Sequence, residues 1–248
     1  MLAVERLGEG PPILFVHGDI VGPDLTWRKQ RELAESWSLM IPSRPGFGES
    51  PAIERNDVEV EAPMFAELLG DGAHLVGHSY GAVIALLAAA ERPESVRSLT
   101  VSEPGCLRVA AGVPVVDEMI ANGERLFSHA EEIPSDEFLR LFRGGAGSAY
   151  GTPEQLPDEL YHGVELLKRE RPSWEAEIPL DRLAAADFPV LVLSGGHSEA
   201  FEAVCDSLAE AVGAEREVIS GRGHTVPSTG ALYNERLEGF MRSAHSQD

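Results

Sequence analysis

The chain has 248 residues, 43% of them hydrophobic, and its 20 basic and 41 acidic side chains give a net charge of −21. That length supports one sizeable core with room for an inserted subdomain, and the apolar content argues against a disordered chain. The acidity argues against nucleic acid or an anionic membrane as a partner, because both repel a negative surface. Cys106 and Cys205 are too few for a disulfide framework and fit no metal motif. No apolar run reaches the roughly 20 residues of a membrane span, and the start MLAVERLGEG lacks the basic-then-apolar pattern of a secretion signal. A soluble, cytoplasmic protein is the expectation.

In chain order, Ile13-Leu14-Phe15-Val16 is a continuous apolar run, as expected of a strand buried on both faces. It stops at His17-Gly18. A helix is predicted over about Trp27 to Glu35, then a short strand, Ser38 to Ile41, ending in the loop PSRPGFGES. A helix near Val58 to Leu69 leads to the strand His74-Leu75-Val76. Another helix runs to about Glu91, where Pro93 stops it. Arg97 to Ser102 is the next strand. This strand–helix alternation predicts an α/β fold, a mostly parallel sheet flanked by helices.

The alternation breaks over residues 104–187. Val115, Val116, Met119, Ile120, Leu126 and Phe127 recur at helical spacing, as do Phe138, Leu141 and Phe142, then Leu156, Leu160, Val164 and Leu167. Prolines and the glycine-rich stretch from Gly144 to Gly151 separate these groups, predicting an insertion of three or four helices. Sheet signal returns at Pro189 to Leu193 and at Glu217 to Ile219, and a last helix spans about Ala231 to Ser243. The expected division is a core of residues 1–103 and 188–248 with a helical lid or cap of 104–187.

Residues 77–81 read Gly-His-Ser-Tyr-Gly, a G-x-S-x-G pattern between an apolar strand and a helix. A serine at the tip of so sharp a turn adopts a strained backbone, and side chains two residues either side would collide, so glycine is favoured there. The turn exposes the hydroxyl and sets the free N–H groups of a helix N-terminus beside any developing oxyanion. Ser79 is the candidate nucleophile.

His17-Gly18 after the first strong strand, the PSRPGFGES loop, the Ser79 elbow, the helical insertion and a late glycine-flanked histidine come in the order of the α/β-hydrolase superfamily, which the chain resembles from end to end. The resemblance implies the α/β-hydrolase fold with a helical lid. It implies that His224, in SGRGHTVPS, is the base that takes the serine proton, and that His17 and His78 pack and hydrogen-bond beside the site. His74, His129, His162, His197 and His245 have no motif support. The oxyanion donors it implies are the backbone N–H groups of Tyr80 and Asp19, with Ile20 as the substitute for Asp19. The Asp19 carboxylate is expected to turn away and hydrogen-bond its loop. Ser43, Arg44 and Ser50 read as structural.

The acid is ambiguous. The family usually supplies it from the loop after the strand that follows the insertion, here Ser194-Gly195-Gly196-His197-Ser198-Glu199. Its typical position holds Ser198, and Glu199 falls one residue late, where it also reads as ordinary charge complementation of a first helical turn. Some family members take the acid one strand after the nucleophile, and Glu103 in TVSEPG stands there. Glu103 is the favoured reading and Glu199 the alternative.

A serine at the elbow argues against the dehalogenases and epoxide hydrolases of the superfamily, which use aspartate. The expected activity is hydrolysis of a small-to-medium carboxylic ester or lactone through a Ser-His-acid triad and an acyl-enzyme. Such chemistry requires no cofactor and no metal. A carbon–carbon or amide hydrolase with the same triad is the alternative, as is a ligand-binding receptor or scaffold with little turnover. The expected partner is a small molecule. Oligomeric state is not encoded in any feature of the sequence.

Overall fold

A computed structural model of the chain describes residues 1–146 and 157–245. Seven strands form one sheet in the order β1-β3-β2-β4-β5-β6-β7. They are β1 (Val4–Leu7), β2 (Pro12–Val16), β3 (Ser38–Pro42), β4 (Ala73–His78), β5 (Val96–Ser102), β6 (Val190–Ser194) and β7 (Glu215–Val218). β1 pairs antiparallel with β3, and every other pairing is parallel. The helices are α1 (Pro23–Thr26), α2 (Val58–Leu68), α3 (Tyr80–Glu91), α4 (Pro114–Phe127), α5 (Ser135–Ala146), α6 (Asp158–Leu167), α7 (Leu180–Ala184), α8 (Glu199–Val212) and α9 (Ala231–His245). The expected fold class is the observed one.

The central strands read as continuous apolar runs because both of their faces are covered. Leu14 and Val16 face a cluster built with Phe65, Val83 and Val204, on the side of α2, α3 and α8. Ile13 and Phe15 point the other way, into a cluster with Trp27, Leu191, Tyr233 and Phe240. Each such side chain, fully withdrawn from water, contributes about 1.5–3 kcal/mol. Among the described residues, no helix is long and apolar enough to cross a membrane. Cys106 and Cys205 are buried and free.

Register sets where the site lies. Val16 pairs with Gly77, His78 with Ser102, and Ser102 with Leu193. The segments leaving the carboxyl ends of β2, β4, β5 and β6 therefore emerge along one edge of the sheet, the edge where open α/β sheets bind ligands. Between β5 and β6 lie α4, α5, α6 and α7. Ala130, Phe138, Leu139, Val164 and Leu167 form a small core within this insertion.

Three details depart from the sequence reading. β1 was not predicted. The helix expected from Trp27 is the single turn of α1 followed by a tighter 3-10 segment over Gln30–Glu35. Gly144, expected in a separator, lies inside α5. Residues 147–151 and Leu156 lie outside the described residues.

Candidate active site

Ser79 caps the N-terminus of α3 with φ 57° and ψ −122°. Its neighbours explain the glycines. A Cβ on Gly77 would lie 2.6 Å from the Ala82 Cα and the Gly81 carbonyl oxygen, and one on Gly81 would lie 2.3 Å from the His17 carbonyl oxygen. Both positions are closed to any side chain because β4, α3 and the loop after β2 approach backbone to backbone. Among the described residues, three non-glycine residues have positive φ: Ile20 at 68°, Ser79 at 57° and Glu103 at 50°. All three belong to the motifs singled out in the sequence. Strain of this kind persists only where the surroundings impose it.

The structure brings Ser79, His224 and Glu103 into one line. His224 Nε2 lies 2.9 Å from Ser79 Oγ, and its Nδ1 lies 3.2 Å from Glu103 Oε2. With Nδ1 protonated and donating to the carboxylate, Nε2 is free to accept the serine proton. The other carboxylate oxygen, Oε1, accepts the Gly195 N–H at 2.5 Å. Glu199, the alternative acid, is exposed in the first turn of α8.

Glu103 is fully buried. Burial pushes its carboxyl up, but the imidazoles of His197 and His224 outweigh that and hold it down to about 2. His197 had no motif support, yet its Nδ1 lies 3.5 Å from Glu103 Oε1, an ion-pair distance rather than a tight hydrogen bond. The signal that could have found it is its place in the loop after β6, beside the position where the resemblance expects an acid. Glu103, His197 and His224 also bring ligand atoms within 4.8 Å of one another, a spacing that a metal ion could use.

His17 and His78 buttress the site. Arg44 donates its backbone N–H to His17 Nε2 at 2.9 Å, which leaves Nδ1 to donate to the Gly18 carbonyl at 2.9 Å. His78 Nε2 donates to the His224 carbonyl at 2.8 Å, steadying the loop that carries the base. Burial, then the nearby Arg44 charge, pushes His17 down to about 3. Burial and His224 push His78 down to about 4. Both are neutral at pH 7.

A Cβ on Gly18 would lie 3.0 Å from the Ser79 Cβ, so the loop carrying Asp19 and Ile20 comes directly against the elbow. Tyr80 opens α3, where a backbone N–H has no partner within the helix. The Asp19 carboxylate does not simply turn into its own loop. It takes a hydrogen bond from Arg44 Nη1 at 3.1 Å, and Asp19 lines the cavity. That cavity, of about 690 Å³, joins Ser79 and His224 to the insertion, whose Met119, Leu126, Phe127, Phe142 and Trp174 make much of its wall apolar.

A sequence model of the alpha/beta hydrolase family matches residues 13–236. The chain is 31% identical over 173 residues to a pimeloyl-[acyl-carrier protein] methyl ester esterase from Chromobacterium violaceum, covering 65% of each chain. It is 30% identical over 185 residues to the lipase LipV of Mycobacterium tuberculosis, covering 72% of this chain and 67% of that one. The match thus spans just under two thirds of the Chromobacterium relative's length. Among solved structures, an alpha/beta hydrolase from Sphaerobacter thermophilus superposes with a TM-score of 0.71 at 24% identity, over 96% of this chain and 95% of that one. With the elbow, the sheet order and a match over most of its length in agreement, this chain belongs to the alpha/beta hydrolase family.

Proposed function

We propose that this chain hydrolyses small-to-medium carboxylic esters or lactones, with Ser79 as nucleophile, His224 as general base and acid, and Glu103 as the triad acid. The observation that carries the reading is the continuous line from Ser79 Oγ through both His224 nitrogens to Glu103, at 2.9 and 3.2 Å. Ser79 Oγ attacks the substrate carbonyl carbon while His224 Nε2 takes its proton. The carbonyl oxygen becomes an oxyanion, stabilised by the backbone N–H groups of Tyr80 and of Asp19 or Ile20. The intermediate collapses to the acyl-enzyme, and His224 returns the proton to the departing alcohol, which in a lactone stays tethered to the acyl chain. Water then attacks the acyl carbon, gives its proton to His224, and the acid leaves as Ser79 is reprotonated. Glu103, ionised at any working pH, holds the imidazole and stabilises the imidazolium. The insertion, residues 104–187, acts as a lid whose apolar wall receives the acyl or alcohol group.

The names of the two curated relatives, an esterase and a lipase, favour ester chemistry over the alternatives. A panel of p-nitrophenyl esters from acetate to decanoate tests the reading. Turnover should be measurable and should fall by about 10⁴-fold or more in Ser79→Ala. Well-folded protein with no turnover on the panel, or equal turnover by the variant, rejects it.

A further inference from the structure

Arg44 reads from the sequence as structural and Glu170 carries no motif, yet the two meet beside the oxyanion loop. Arg44 is completely buried, and its guanidinium touches four partners. It pairs with both oxygens of buried Glu61, Nε to Oε2 at 2.8 Å and Nη2 to Oε1 at 3.0 Å. It donates through Nη1 to the Gly18 carbonyl at 3.0 Å and to Asp19 at 3.1 Å. It reaches Glu170 Oε2 through Nη2 at 3.5 Å. Its guanidinium carbon also lies 4.1 Å over the ring of Tyr80. One cation thus contacts both segments from which the oxyanion donors come.

Glu170 belongs to the insertion, three residues past α6, and is buried. Its carboxyl hydrogen-bonds that of Asp19, and both residues line the cavity beside Ser79. Arg44 cannot neutralise Glu61, Asp19 and Glu170 together, and like charges this close cannot all ionise. Glu170 faces Asp19 from the loop after β2, Arg44 from the loop after β3, Glu61 from α2 and Tyr80 from α3. Two carboxyls can hydrogen-bond only if one carries a proton, and burial, then the Asp19 charge, pushes the Glu170 carboxyl well above its ordinary range, which makes Glu170 the donor and Asp19 the acceptor. A second contact from the same part of the insertion reaches the same loop. A Cβ on Gly163 would lie 1.8 Å from the Ile20 carbonyl oxygen, so α6 rests directly on the loop backbone. His162 Nε2 also donates to the Gly46 carbonyl at 2.8 Å, tying α6 to the loop that carries Arg44.

We propose that Glu170 is a positioning residue for the oxyanion loop: its hydrogen bond to Asp19, backed by Arg44, holds residues 17–21 against Ser79, so that the insertion sets the geometry of the oxyanion site. The inference rests on the ester-hydrolase reading for its catalytic consequence. Glu170 never touches substrate in this account. It acts through the Asp19 backbone, whose misplacement weakens an interaction made only in the transition state.

The test compares wild type, Glu170→Ala and Glu170→Gln by steady-state kinetics on a p-nitrophenyl ester and by amide hydrogen exchange over residues 17–21. Glu170→Ala should lower kcat by about tenfold to a hundredfold, with KM within about twofold. Glu170→Gln still donates to Asp19 and should keep kcat within about threefold of wild type. Exchange across 17–21 should rise in the alanine variant and stay at the wild-type level in the glutamine variant. If alanine prevents folding, Glu170→Met, of similar length and without a donor, takes its place with the same expected loss. Unchanged kcat and exchange in the non-donating variant overturn the proposal. So does a loss confined to KM, or a glutamine variant as impaired as alanine. A wild type without ester turnover fails the ester reading alone, because exchange over 17–21 still decides the clamp.

Discussion

At the scale of single residues, the decisive choice is between two glutamates. Glu103 accepts from His224 Nδ1 and from the Gly195 N–H, whereas Glu199 is exposed at the start of α8. Glu103→Gln should therefore cut kcat by about 10²–10⁴-fold with circular dichroism unchanged, by the logic of triad-acid removal. Glu199→Gln should stay within about twofold of wild type, since surface changes of this kind perturb little. The buried titratable groups also fix an acid response. His17 and His78 have native values of about 3 and about 4 against an ordinary 6.5, so between those limits the unfolded chain binds more protons. Their contribution is complete above pH 6.5 and is lost as pH falls. Glu103, held at about 2 against an ordinary 4.5, loses its contribution over that lower window. Asp19 and Glu170, both raised, act oppositely above their ordinary range: they favour the native state at low pH and less so as pH rises. Stability measured by urea titration should thus fall less steeply between pH 6.5 and about 4.5, where Asp19 and Glu170 oppose the histidines, than below about 4.5, where Glu103 adds its own loss. A steep loss already complete by pH 5 would contradict these assignments. Ser79 and His224 were legible in the sequence because each sits in a local pattern dictated by backbone geometry. The acid stayed open because its partner lies 121 residues away and only packing selects between two loops. Glu170 and His197 were illegible for the same reason: a polar residue in a loop carries no sign of which loop faces it.

At the scale of elements, the elbow works because three backbones converge with no space between them. Gly81→Ala would drive a Cβ to 2.3 Å from the His17 carbonyl and 2.4 Å from the Val16 carbonyl, atoms that cannot rotate away. Overpacking of this kind costs about 1–3 kcal/mol, and Tm should fall by about 2–4 °C for each kcal/mol. Gly239, exposed inside α9 with open space around it, is the contrast: Gly239→Ala should raise stability by about 0.5–1 kcal/mol. Thermal unfolding of the two variants checks both signs. The strands that hold this elbow were readable where burial on both faces left a continuous apolar run, as in β2 and β6. β1 was not, because its sequence VERL has an exposed Glu5 and Arg6 and pairs along one edge only. The segment after β2 reads as helical in its spacing, yet it folds as the short α1 and a 3-10 stretch, with Trp27 and Leu33 anchored in the core.

At the scale of the whole molecule, the site is a product of topology. Parallel pairing in register brings the ends of β2, β4, β5 and β6 to one edge, and the turn before α9 returns His224 to it from near the end of the chain. Residues between β5 and β6 line the cavity, and Glu170 among them meets Arg44, which also contacts Asp19 in the loop beside the nucleophile. The alternation of strands and helices made the core readable, and the loss of alternation marked the insertion. What the insertion touches depends on folded contacts between distant loops. The central claim is that Ser79 is an activated nucleophile, and covalent capture tests it without any assumption about substrate. After treatment with a fluorophosphonate probe, peptide mass spectrometry should find one adduct, on Ser79, formed rapidly in wild type and lost or greatly slowed in His224→Ala. Well-folded wild type that carries no adduct on Ser79, or that labels equally fast without His224, would contradict the account.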